Sequence, residues 1–151
     1  MSFLGLGKNI LQISKNVYDD IIAHAKETYP HECCGVIVGA YYNGKKVFES
    51  HRADNVNLER AADRYIIAPK EFNLIDKMAR TQGYDVVGFY HSHPDHPDKP
   101  SATDRELGQV GYSYIIVSVK KGTQTSVRSW TIEDEKEPFK EEKIKVVVHG
   151  A

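Results

Sequence analysis

The stretch Asp85-Val-Val-Gly-Phe-Tyr-His-Ser-His-Pro-Asp-His-Pro-Asp-Lys-Pro-Ser-Ala-Thr-Asp104 passes from an apolar run through a proline-rich loop into a helix start. Asp85 to Ser92 reads as a strand with a core of Val86, Val87 and Phe89. His91 and His93 lie two residues apart at its end, so both side chains leave one face. That geometry suits two imidazoles on one metal ion. Pro94 holds His93 extended, and the prolines at 94, 97 and 100 stiffen the loop beyond. Ser101 then precedes Ala-Thr-Asp, a capping-box-like start to a short helix from about Ala102, with Asp104 in place of the usual glutamate. An aspartate in a first helical turn points back towards the loop and can supply a third, anionic ligand. His91, His93 and Asp104 thus make a typical catalytic zinc set, with a fourth position left for a water made acidic enough to attack near neutral pH.

Around this stretch the periodicities alternate. Ser14 can cap a helix to about Thr28, with Val17, Ile21, Ile22 and Ala25 as its buried stripe and Tyr29-Pro30 as its end. Cys34 to Gly39 suits a buried strand, and the Asn43-Gly44 turn returns Lys45 to Ser50 antiparallel beside it. Asp54 to Asp63 is polar and aperiodic, hence a loop, and Arg64 to Ala68 reads as another strand. Pro69 opens a helix to about Gln82, with Phe72, Ile75 and Met78 facing inward and Gly83 closing it. Tyr112 to Val119 and Thr125 to Thr131 alternate as strands across a turn at Lys121-Gly122, while Lys143 to Val148 fits either an edge strand or a helix end. The alternation is too irregular for a doubly wound parallel sheet. The expected fold class is α/β, a mixed β-sheet flanked by helices. With no repeat and no linker, residues 1–151 read as a single domain.

A chain of 151 residues, 40% hydrophobic and 27% charged, can bury a proper core without disulfides. Its net charge of −1 gives no electrostatic reason to expect nucleic acid or an anionic membrane as partner. No apolar run approaches the roughly 20 residues needed to cross a bilayer. The start, Met1 to Lys8, has no basic n-region, and Lys8 interrupts its apolar stretch, which argues against a secretory signal. Cys33 and Cys34 are the only cysteines, and neighbouring Cα atoms about 3.8 Å apart make a strained disulfide. Free thiols and a cytoplasmic location are therefore expected.

The full spacing, His-x-His, seven residues, Ser, two residues, Asp, resembles the signature of the JAMM (MPN+) metalloprotease family and is complete here as His91, His93, Ser101 and Asp104. The family also carries an upstream glutamate in a Glu-x-Cys-Gly context, matched by Glu32-Cys-Cys-Gly35 before Val-Ile-Val-Gly39. Gly88-Phe-Tyr-His-Ser-His-Pro94 is similar too, and the resemblance runs from about Ile13 to Trp130. It implies the JAMM/MPN fold, with a broadly cytidine-deaminase-like architecture, and one zinc ion per chain held by His91, His93 and Asp104. Glu32 would be the general base on the attacking water and then pass the proton to the leaving amine. Ser101 would hydrogen-bond the developing oxyanion.

Each of these residues also has a plainer reading. Asp104 can stabilise a helix N-terminus, Glu32 can be a solvated carboxylate, and Ser101 can be an N-cap whose hydroxyl capping and oxyanion binding compete for. Asp95, His96 and Asp98 are expected to be exposed or to touch substrate. His31 reads as structural, and His24, His51 and His149 as ordinary core or surface residues. Cys34 reads as small apolar packing. The His-Glu-x-x-His helix and the deaminase His-x-Glu pattern are both absent. By analogy with compact prokaryotic relatives, the expected partner is the C-terminal Gly-Gly tail of a ubiquitin-like or sulfur-carrier protein, adding as an extra strand beside the cleft. Removal of such modifiers from lysine, or a metal-free MPN scaffold, are the alternatives.

Overall fold

The computed structural model describes residues 10–148; the Met1 to Lys8 start, read as no secretory signal, and His149 lie outside the described residues. Seven strands and three helices follow one another as β1 (Ile10–Ser14), α1 (Lys15–Thr28), β2 (Cys34–Ala40), β3 (Lys45–Ala53), α2 (Pro69–Thr81), β4 (Asp85–Pro94), α3 (Ala102–Leu107), β5 (Ser113–Lys120), β6 (Gln124–Thr131) and β7 (Lys140–Val147). The sheet is mixed, as expected, and it closes on itself in the order β1-β3-β2-β4-β5-β6-β7. β2 runs antiparallel to both β3 and β4, β4 runs parallel to β5, and β1 lies parallel to both β3 and β7. No helix among the described residues is long and apolar enough to cross a membrane.

The two faces of the sheet bury separate cores because side chains alternate along each strand. Cys33, Ile37, Val87, Tyr90 and Ile115 pack with Val17, Ile21 and Ala25 of α1. Val36, Val38 and Val86 pack with Ile75 and Ala79 of α2, with Phe72 and Phe89 at the margin. Gly35 joins the two central strands closely: a Cβ there would fall 2.1 Å from Cε2 of Tyr90. The Tyr90 ring lies over β2 in that space, and its hydroxyl bonds Nδ1 of buried His24 at 2.7 Å.

Four expectations change. Residues 64–68 are not a strand: the amide of Ile66 bonds the Asn55 side chain, and its carbonyl accepts from Val56. Met78 is 48% exposed, because it lies roughly 100° around the helix from the stripe of Phe72, Ile75 and Ala79. The C-terminal segment is a strand, and it is no edge, since β7 pairs with both β6 and β1. Ser14 occupies the cap position of α1, but its buried hydroxyl makes no capping bond and has no partner.

Closure is reinforced by a polar cluster. Lys45 of β3 reaches the carboxylate of Glu142 of β7 at 2.7 Å and Ser113 of β5 at 2.8 Å, while Ser129 of β6 donates to the other Glu142 oxygen at 2.8 Å. Glu142 is only 2% exposed, so removing its partner strands a desolvated charge. Lys45→Ala should lower the unfolding free energy measured in urea by about 3 kcal/mol, and the double variant Lys45→Met/Glu142→Leu should recover most of it.

Candidate metal centre

Three elements deliver the donors. β4 and β2 pair in a register that sets Cys34 opposite His91, and the amide of Ser92 donates onward to the carbonyl of Cys33 at 3.2 Å. Continuing that register sets Glu32 opposite His93, so Glu32, Cys34, His91 and His93 share one face. Ser92 turns to the other, where its hydroxyl accepts from the amide of Cys33 at 2.8 Å. α3 supplies the third donor. Its N-terminus is a complete capping box: Ser101 Oγ accepts from the Asp104 amide at 3.0 Å, and Asp104 Oδ2 accepts from the Ser101 amide at 2.9 Å.

The donor atoms converge. His91 Nε2 and His93 Nε2 are 3.1 Å apart; Asp104 Oδ1 is 3.2 Å from the first and Oδ2 3.1 Å from the second. Zinc bonds of 2.0–2.1 Å in a tetrahedral site put neighbouring donors roughly 3.3 Å apart, so this set fits such an ion with little rearrangement. Among the described residues it is the one cluster of histidine, cysteine and carboxylate groups able to hold a metal. His93 Nδ1 bonds the carbonyl of Pro97 at 2.7 Å, which fixes its ring with Nε2 facing the site. His91 has no such partner on Nδ1; its ring is held by Tyr65, stacked at a centroid distance of 4.5 Å.

The two carboxylates sit in opposed environments. Burial pushes Glu32, only 6% exposed, up to about 8, with His93 opposing and Asp104 and Asp63 adding to the effect. Burial acts in the same direction on Asp104, but the bonds to His91 and His93 overcome it and hold Asp104 far below the usual range. His91 is lowered by burial, while on His93 the bonds to Asp104 and Pro97 outweigh burial and raise it. Cys33 and Cys34 are buried free thiols pushed up by desolvation to about 11 and about 12, in keeping with packing roles.

The loop between β4 and α3 departs from expectation at Asp98 alone. His96 is exposed and lines the groove beside the site. Asp95 is exposed too, and it accepts from Tyr29 Oη at 2.5 Å and from the amide of Lys121 at 2.8 Å. Asp98 is buried and paired with Arg128 at 3.3 Å, and its carbonyl accepts from Trp130. The exposed imidazole of His31 sits on a turn whose backbone bonds Thr28. Ser101 lines the same groove as Glu32 and His93. Its cap uses an oxygen lone pair, which leaves the hydroxyl proton available to donate, so capping and oxyanion binding are compatible.

Two further positions were invisible in the sequence. Tyr65 lay in the supposed strand. Asn55 lay in an aperiodic loop, yet it saturates its amide: Nδ2 donates to the carbonyls of Glu32 at 3.3 Å and Arg64 at 2.9 Å, and Oδ1 accepts from Asn57 and Ile66 at 3.1 Å each. Glu32 is held again by its amide bond to the carbonyl of Ala61. Neither residue carries a motif, because each acts through contacts that only the folded loop creates.

Residues 14–133 match the family described as prokaryotic homologs of the JAB domain, and the chain belongs to that family. The JAMM resemblance is thus borne out. Over 127 residues the chain is 39% identical to the desampylase of Haloferax volcanii, spanning 80% of this chain and 88% of that relative. It is 29% identical over 126 residues to the CysO-cysteine peptidase of Mycobacterium tuberculosis, covering 83% of this chain and 84% of the relative. A Desulfitobacterium hafniense protein with a solution structure shares the fold at a TM-score of 0.81 and 26% identity, over 92% of this chain and 94% of its own.

Glu32 makes a stability prediction for the metal-free protein. Its folded pKa stands above the ordinary value of 4.5, at about 8, so its contribution is fully present below about pH 4.5 and is lost as the pH rises through about 8. The thermal midpoint of Glu32→Gln should therefore climb relative to the parent between these pH values in chelator-treated protein. A constant difference across the range would show that burial does not perturb Glu32.

Proposed function

We propose that this chain is a zinc-dependent peptidase of JAMM type that hydrolyses the amide bond following a C-terminal Gly-Gly of a ubiquitin-like or sulfur-carrier protein. The observation that carries this reading is the convergence of His91, His93 and Asp104 at 3.1–3.2 Å beside a buried Glu32. The names of the relatives, a desampylase and a CysO-cysteine peptidase, support an activity of this class. The intact donor set speaks against a metal-free scaffold.

His91, His93 and Asp104 would hold the ion, which when bound supplies Lewis acidity to polarise a carbonyl and make a water nucleophilic near neutral pH. Glu32 takes the proton from the attacking water and delivers it to the departing amine as the C–N bond breaks. Ser101, with its hydroxyl proton uncommitted, donates to the carbonyl oxygen as charge develops there. The sheet closes on itself, so no strand is an edge along its whole length. The tail would lie in the groove lined by Asp63 and Arg64 and by His96, Pro97 and Lys99. Glycines fit where the walls of such a groove are close.

A carrier–peptide fusion cut after Gly-Gly, and a lysine-linked conjugate run beside it, test the activity and the bond preferred. Glu32→Gln should abolish cleavage while zinc remains bound at one per chain. His91→Ala and Asp104→Ala should lose zinc and cleavage together, and chelation should silence the parent reversibly. Normal turnover in Glu32→Gln would remove the general base from this scheme. Ser101→Ala should lower kcat about 100-fold with the fold intact; a loss below threefold would leave it a cap alone.

A further inference from the structure

Resting on that reading, we infer that Arg64 recognises the free α-carboxylate of the leaving group, so that the preferred substrate is a tail from which a single C-terminal amino acid is released. Arg64 lines the cavity it shares with Glu32, His91 and Asp104, and also the groove it shares with Glu32, His93 and Ser101. It therefore stands where the two sides of the site meet. Its positive charge acts on the Glu32 carboxylate. Asn55 ties the two main chains together, its one amide nitrogen donating to both the Glu32 and the Arg64 carbonyls.

The guanidinium is not spent on its neighbours. Asp63, the nearest carboxylate, is taken by Arg60, which offers Nε to Oδ1 at 3.1 Å and Nη2 to Oδ2. Arg64 donates once, from Nη1 to the carbonyl of Asp63 at 3.0 Å, and stands 3.8 Å from that carboxylate. Nε and Nη2 have no acceptor among the described residues. A planar fork with free donors beside a cleft matches a carboxylate in two-point fashion.

Chemistry supplies the distance. Water adds across the amide: its oxygen joins the acyl carbon, and one proton passes through Glu32 to the nitrogen as the C–N bond breaks. When the leaving group is an amino acid, its α-carboxylate is separated from that nitrogen by a single carbon. A cation beside the proton donor is thus well placed to read it. A lysine side-chain amine carries no carboxylate there.

Two peptides ending in Gly-Gly-Xaa, one with a free acid and one with an amide, test this on zinc-loaded enzyme. The parent should favour the acid in kcat/KM by about 10- to 100-fold, the span of a charged hydrogen-bonding pair. Arg64→Gln should erase the preference by slowing the acid alone, and Arg64→Lys should restore part of it. Equal cleavage of acid and amide by the parent overturns the inference, as does an Arg64→Gln variant that slows both equally. Full activity of Glu32→Gln on both peptides would instead strike the reading beneath it, and cleavage of neither by the parent would overturn both.

Discussion

The antiparallel register of β2 against β4 governs nearly everything else in this molecule. Setting Cys34 opposite His91 fixes which face each following residue takes, because side chains alternate. Glu32 and the two histidines then fall on the α2 side, and Cys33, Ser92 and Tyr90 on the α1 side. A slip of one residue would carry Glu32 to the far face and leave the histidines without it. Gly35 helps to pin the register, since only a residue without Cβ admits the Tyr90 ring over β2. The glycine of the Glu-Cys-Cys-Gly segment is thus a packing requirement that serves the site from the opposite face.

The fold also pushes two nearby carboxyl groups in opposite directions. Asp104 sits at a helix N-terminus, accepts an amide and faces two imidazoles, so it stays ionised and suits a ligand. Glu32 is buried, and the opposing charges of His93 and Arg64 do not make up for its loss of water, so without metal it holds a proton readily. Divergent environments for paired acids are how one site assigns separate tasks to the same functional group. The cost is a buried acid whose desolvation opposes folding near neutral pH, offset by the cores on either side of the sheet.

Much of this was legible in the sequence, and the reasons for success and failure are physical. His91, His93 and Asp104 were readable because their relation is local: strand alternation, a stiff loop and one helical turn suffice. Glu32 lies far upstream and was placed by resemblance alone, since nothing local reveals a strand pairing. The extended segment 64–68 mimics a strand in composition, but its hydrogen bonds go to the side chain of Asn55 and to Val56. Met78 was misplaced by a fraction of a helical turn. The joining of β7 to β1 could not be seen, because closure depends on the summed curvature of seven strands and not on any one of them.

Loops in turn shape how the site meets a substrate. The groove beside the metal donors is lined largely by loop residues, which must therefore be stiff to hold their geometry. They are. The segment before α3 is fixed through Asp95, Pro97 and Asp98 to four different parts of the chain. The opposite wall is fixed by Asn55, which uses all four positions of its amide on backbone groups. Saturating a half-buried amide in this way leaves no cheap alternative geometry, because any shift of the loop strands at least one polar group. The main chains of Glu32 and Arg64 are tied together through Asn55, so the placement of the two residues relative to the metal donors is set before substrate arrives.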